Sequence, residues 1–148
     1  MTVLVTGASG FIGRHLTAYF DRIEQPYIAQ TRTPSNFSDN WVVDLSNRIT
    51  DFPDGVDLVI HLAARSPLPR SRITAYLNDN VTVTYNLVEA CRNGEVRKII
   101  FSSAIDCYGD VSTEIVDETT AVGKLENAHG DFYAWSKIGC EWILSQDD

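Results

Sequence analysis

Cysteine is scarce in this sequence, and no apolar run is long. The three cysteines, Cys91, Cys107 and Cys140, are odd in number and far apart. They match no zinc spacing and no disulfide framework, which leaves reduced, mostly buried thiols in a cytoplasmic protein as the reading. No stretch approaches the ~20 apolar residues that a membrane helix needs. The N-terminus carries no basic segment ahead of its short apolar run, so it does not read as a signal peptide. A surplus of positive charge is also absent. Twelve Lys and Arg stand against 20 Asp and Glu, for a net charge of −8. That field repels polyanions and argues against nucleic acid as a partner. It still permits one local site for a single phosphorylated ligand. Repeats and low-complexity segments are missing. At 148 residues the chain is long enough for one domain with a core, spanning 1–148, and too short for two.

What is present alternates between two periodicities. Val3-Leu4-Val5 is a short apolar run ending at Gly7, as expected of a strand buried on both faces. Ile12, Leu16, Tyr19, Phe20 and Ile23 recur at helical spacing from about Phe11 to Ile23. Further strands are expected at Tyr27–Ala29, Trp41–Val43, Asp57–Leu62 and Lys98–Phe101. Pro53-Asp54-Gly55 is a turn signal ahead of the fourth. A long helix is predicted from Thr74 to Arg92, with Leu77, Val81, Tyr85 and Val88 on one stripe and Asn93-Gly94 as its C-cap. Gly109 to Gly130 reads as loop, and Phe132 to Leu144 as a last helix. Strands separated by helices imply an α/β fold, a doubly wound parallel sheet with helices on both faces.

The strongest motif is Thr6-Gly7-Ala8-Ser9-Gly10-Phe11-Ile12-Gly13, glycines spaced G-x-x-G-x-x-G between a strand and a helix. In such a loop Gly7 makes the turn off the strand and Gly10 admits a pyrophosphate to the backbone. Gly13 lets the helix pack against the sheet without an intervening Cβ. The helix N-terminus adds N–H donors and positive dipole. Gly7, Ser9, Gly10, Phe11, Ile12 and Gly13 are therefore candidate dinucleotide-binding residues.

At these residues the chain resembles the extended short-chain dehydrogenase/reductase family. Within it, the likeness is to the NAD-dependent epimerase/dehydratase group typified by UDP-galactose 4-epimerase. The match is nearly residue for residue from Val3 to Leu16 and continues to about Leu144. The resemblance implies a Rossmann sheet in the order 3-2-1-4-5. It implies adenine contacts from Asp44-Leu45, and approach to the phosphates and nicotinamide ribose along Leu62-Ala63-Ala64, with His61 a packing residue. Asn80 matches an Asn that supports the active-site backbone. Tyr133 and Lys137 match the family's Tyr-x-x-x-Lys pair and lie four residues apart on one helix face. There the Tyr exchanges the substrate hydroxyl proton while hydride moves to or from the nicotinamide. The Lys holds the ribose and lowers the phenol pKa.

Two departures stand out. The family's Ser or Thr falls four residues before Tyr108-Gly109, where this chain has Ala104. Either Ser103 takes that role through a backbone shift or the hydroxyl is missing. Asp106 is a second oddity, open to acid chemistry of the dehydratase kind. The acidic position that accepts the ribose hydroxyls of NAD falls on Thr31, and Arg32 follows. A guanidinium there suits a 2′-phosphate, so NADP is expected over NAD. Trp135, Ile138 and Trp142 form a stripe open to two readings, core packing or a homodimer contact through the Thr74–Arg92 and Phe132–Leu144 helices. Members of the family run to about twice this length, so the later strands and the substrate domain are expected to be missing and the chain alone inactive. The expected function is the NAD(P)-binding domain of a nucleotide-sugar epimerase, dehydratase or reductase. The alternative is a non-catalytic dinucleotide-binding sensor or scaffold.

Overall fold

The computed structural model describes residues 1–68, 71–108, 115–122 and 132–146. Its five strands are β1 (Thr2–Thr6), β2 (Tyr27–Thr31), β3 (Asn40–Val42), β4 (Val56–His61) and β5 (Lys98–Phe101). They form one parallel sheet in the order β3-β2-β1-β4-β5, the expected doubly wound arrangement. Alternation along β1 sends Val3 and Val5 to one face and Leu4 to the other. Helix α1 (Phe11–Arg22) brings Leu16 and Phe20 onto the first face, beside Ala29. On the second, Leu4 packs with Ile28, Val59, Leu87 and Cys91. A strand covered on both sides has no solvent face, which is why Val3-Leu4-Val5 is uninterrupted. Burial of each such side chain contributes about 1.5–3 kcal/mol.

The long predicted helix is continuous but not uniform. It starts as α2 (Ile73–Tyr76), widens into a π-helical stretch (Leu77–Thr82) and resumes as α3 (Val83–Asn93). Of the predicted stripe, Val88 is buried and Leu77 and Val81 are half-buried, but Tyr85 lies off the packed face. Tyr85 is 52% exposed, whereas Tyr76, Asn80, Thr84, Leu87 and Cys91 are buried. The apolar count misled because two of the buried positions are polar and satisfied by partners far away in sequence. The helix does end at Asn93-Gly94, but the left-handed residue is Glu95, at φ 54°. Gly94 is needed for space instead, since a Cβ there would stand 2.8 Å from the Phe52 ring.

Helix α4 (Phe132–Leu144) buries Ala134, Ser136, Lys137 and Cys140. The predicted Trp135, Ile138 and Trp142 stripe is not that face, and Trp142 is 65% exposed. Most of the expected Gly109–Gly130 loop lies outside the described residues. Among those that are described, no helix is long and apolar enough to cross a membrane.

Candidate functional site

The winding of the sheet reverses between β1 and β4, and crevices at such points open at the carboxyl ends of the strands. A cleft of about 500 Å3 lies there, within the ~300–1,000 Å3 of small-molecule sites. Of the residues singled out by sequence, Gly7, Ser9, Gly10, Thr31, Arg32, Asp44, Leu45, Leu62, Ala63 and Ala64 line it. Phe11 and Ile12 do not. Their side chains are 74% and 56% exposed, and their backbone forms the first turn of α1.

Steric necessity shapes the glycine loop. Gly7 has φ +65°, and a Cβ on it would lie 2.8 Å from Ala63 N, so the loop is pressed against the chain leaving β4. At Gly13 a Cβ would meet Gly7 O at 2.4 Å and Ala8 O at 2.6 Å. That glycine thus lets α1 pack on its own loop rather than on the sheet, which corrects the reason expected for it. Gly10 is the open position, with only Gly7 O near, at 3.1 Å. As N-cap of α1, Gly10 makes no side-chain cap, and no acid stands in the first turn. The helix start therefore offers uncapped N–H groups to the cleft.

Sequence reasoning missed Gln30. Its Oε1 accepts from Gly7 N–H at 3.0 Å and its Nε2 donates to Val43 O at 2.7 Å. One buried amide thus ties the glycine loop to the end of β3. No local motif marks a Gln in a strand for this role.

At the same end, Thr31 is buried and turned inward. Its hydroxyl donates to Thr33 O at 2.7 Å and accepts from Asn40 Nδ2 at 2.9 Å. Asp44 Oδ1 accepts from the Ser46 N–H and hydroxyl. Those bonds, with help from Arg32, hold the carboxyl below its ordinary pKa. The turn carrying Leu45 is fastened by Asn86, whose Nδ2 donates to Leu45 O and Asn47 O.

The opposite end rests on buried polar side chains. His61 Nδ1 lies 2.7 Å from Thr6 Oγ1, and Nε2 lies 3.0 Å from Thr84 Oγ1. Thr84 donates onward to Cys140 Sγ, while Thr6 Oγ1 accepts from the N–H groups of Leu62 and Ala63. One proton arrangement satisfies every group. Thr6 donates to Nδ1, and His61 carries its proton on Nε2 and donates to Thr84. Burial, aided by the charge of Lys137, holds the imidazole pKa down to about 3, so His61 is neutral. It is a packing and wiring residue, as expected.

Asn80 is the second connector. Its Oδ1 accepts from Arg65 N–H at 2.7 Å and its Nδ2 donates to Ser136 Oγ at 2.8 Å. Ser136 in turn donates to Tyr133 O. Tyr133 and Lys137 sit on α4 beside this network rather than on the cleft wall. Lys137 Nζ lies 5.8 Å from the Tyr133 ring centroid and 4.5 Å from that of Phe101, and donates to Ser102 O at 2.7 Å. Burial lowers its pKa. Ser103 turns elsewhere. Its hydroxyl donates to Glu141 and lies 3.4 Å from Cys107 Sγ, lining a separate groove between β5 and α4. Asp106 lies in a 3-10 turn, Ile105–Tyr108.

A sequence model of the NAD dependent epimerase/dehydratase family matches residues 3–146. The chain belongs to that family. Among its relatives, a UDP-glucose 4-epimerase of Erwinia amylovora is 30% identical, over 97% of this chain and 48% of its own length. Among solved structures, a UDP-galactose 4-epimerase superposes with a TM-score of 0.83 at 25% identity, covering 99% of this chain and 51% of that one. MoeE5 in complex with UDP-glucose and NAD gives 0.80 at 27% identity, covering 97% and 48%. A trifunctional UDP-glucose 4,6-dehydratase of Arabidopsis thaliana is 26% identical over 24% of its length. The chain therefore spans about half the length of these relatives, or less.

Proposed function

We propose that this chain supplies the dinucleotide-binding part of a nucleotide-sugar epimerase, dehydratase or reductase. The observation that carries the reading is the cleft, walled by Gly7 and Gly10 and opening on the uncapped start of α1. Its residues fit the phosphates of a dinucleotide: backbone N–H groups, a close-approach glycine and no carboxylate in the first turn. Bound nicotinamide would supply hydride chemistry. Tyr133 would take or return the substrate hydroxyl proton, with the Lys137 ammonium favouring its phenolate. Titration calorimetry with NAD and NADP tests the binding. Gly10→Val should abolish it and keep the fold, because space around Gly10 is open except toward Gly7 O. Unchanged affinity in that variant would overturn the reading.

The finer calls follow from the same site. Arg32 lines the cleft and no acid ends β2, which supports NADP over NAD. Thr31→Asp should reverse the preference, and equal dissociation constants in the parent would refute it. Tyr85 and Trp142, exposed on α3 and α4, support a homodimer through those helices, checked by sedimentation. All three cysteines are buried, which supports a cytoplasmic compartment. A purely binding role draws support from the engagement of Ser103 by Glu141, but the relatives' names are those of enzymes. The chain spans about half the length of these relatives or less, and the 148 residues on their own are expected to turn over no UDP-, GDP- or dTDP-sugar. Robust cofactor-linked turnover would refute that.

A further inference from the structure

The loop after β4 is fixed more firmly than a wall of a cleft requires, and one residue in it is fixed twice. Arg65 is held through its backbone by Asn80 Oδ1. Its guanidinium is held by Asp79, with Nε donating to Oδ2 at 2.7 Å and Nη2 paired to the same oxygen. The two holding residues are consecutive and lie in the π-helical stretch. The wider turn of a π-helix brings both to one loop, and such turns recur at functional sites. The next anchor, Tyr76 Oη accepting from Leu68 N–H at 3.2 Å, belongs to the same helix.

A half-exposed ion pair contributes little to stability, so stability does not account for a doubly held arginine. Its position does. Arg65 and Asp79 both line the cleft, with side chains 33% and 32% exposed. A guanidinium has five N–H donors, and those not used on Asp79 have no acceptor among the described residues. Ala63, two residues earlier, is the backbone against which Gly7 is pressed. Arg65 therefore shares the cleft with Gly7, Ser9 and Gly10. In a protein of net charge −8, the cations lining this cleft are Arg32 and Arg65.

We propose that Arg65, held by Asp79 and Asn80, is a charged anchor for the phosphates of the dinucleotide. Asp79 sets the fork before the ligand arrives, so little side-chain freedom is lost on binding. The proposal rests on the dinucleotide reading above. It is tested by calorimetry with NAD and ADP-ribose on the 148-residue chain and on Arg65→Met, alone and combined with Asp79→Asn. An anchor predicts a loss of about tenfold in affinity for both ligands in both variants. An ion pair with a merely structural role predicts that the double variant, which leaves no unpaired charge, binds like the parent. A loss below fivefold in the double variant overturns the proposal, and a larger loss supports it. Circular dichroism checks the fold, and Arg65→Gln with Asp79→Ser replaces any variant that does not fold. A parent that binds neither of these ligands nor NADP overturns the dinucleotide reading itself. A parent that binds, fails with Gly10→Val and ignores Arg65 overturns only the anchor.

Discussion

The two ends of the cleft are built by different physics. Around the glycine loop the geometry is imposed by backbone that cannot be elsewhere. A Cβ at Gly7 or Gly13 would stand closer than 3 Å to main-chain atoms. Around β4, the π-helical stretch and α4 the geometry is imposed by buried polar side chains. Thr6, His61, Thr84 and Cys140 form one chain of hydrogen bonds, and Arg65, Asn80 and Ser136 form another. The first kind of construction tolerates no added atom. The second tolerates no lost partner. Backbone contact suits the proposed phosphate surface, because it puts no side chain between a ligand and the uncapped N–H groups at the start of α1. Side-chain networks suit a region where three elements, distant in sequence, must keep a Tyr and a Lys in place.

The comparison breaks most sharply at Gly13. Gly13→Ala should cost about 3 kcal/mol or more, because the Cβ meets two carbonyl oxygens that are themselves fixed. Chemical denaturation measures it. A loss under 1 kcal/mol would mean that the loop can yield and that sterics do not set this end.

At the other end, His61→Leu should cost about 2–3 kcal/mol, since it keeps the volume but takes from Thr6 the acceptor of its hydroxyl proton and from Thr84 its donor. Acid sharpens this. Folded His61 has its pKa held down to about 3, against about 6.5 unfolded. The unfolded state takes a proton that the folded state refuses. The stability owed to neutral His61 is thus complete above pH ~6.5 and fades as the pH falls toward 3. The gap between parent and His61→Leu should therefore narrow between pH 7 and pH 4. A constant gap would show that the imidazole is not neutral in the fold.

Asn80→Ala should cost about 2 kcal/mol, leaving Arg65 N–H and Ser136 Oγ without their partner. It should also raise the mobility of Tyr133, seen in the NMR relaxation of its amide. A stability loss without that change would separate the network from α4. The smallest effect concerns the thiols. Burial pushes the Cys107 and Cys140 pKa values up, so neither should react with a disulfide reagent at pH 7.5 until the chain unfolds. Rapid labelling of the folded protein would show that α4 opens from the network.

Legibility in the sequence followed the same division. The glycine loop, Asp44-Leu45 and Leu62-Ala63-Ala64 could be read because contiguous residues carry each signal. Gln30, Asn86 and Asp79 could not, since each acts through a single side chain on a residue 13 or more positions away. Ser103 could be named as a candidate, but the sequence held no sign that Glu141 would engage it.

By itself, the sequence determined the strands, the helices between them and the position of the glycine loop, while the strand order followed from the family resemblance. Apolar period and glycine spacing act over a few residues and survive without their surroundings. Only the tertiary structure decided which face α3 buries, which tautomer His61 adopts and where Ser103 and Arg65 turn. These depend on partners such as Thr6, Asn80, Ser136 and Glu141. A hydrogen bond across 38 or 56 residues exists only once the chain has folded and water has left both groups.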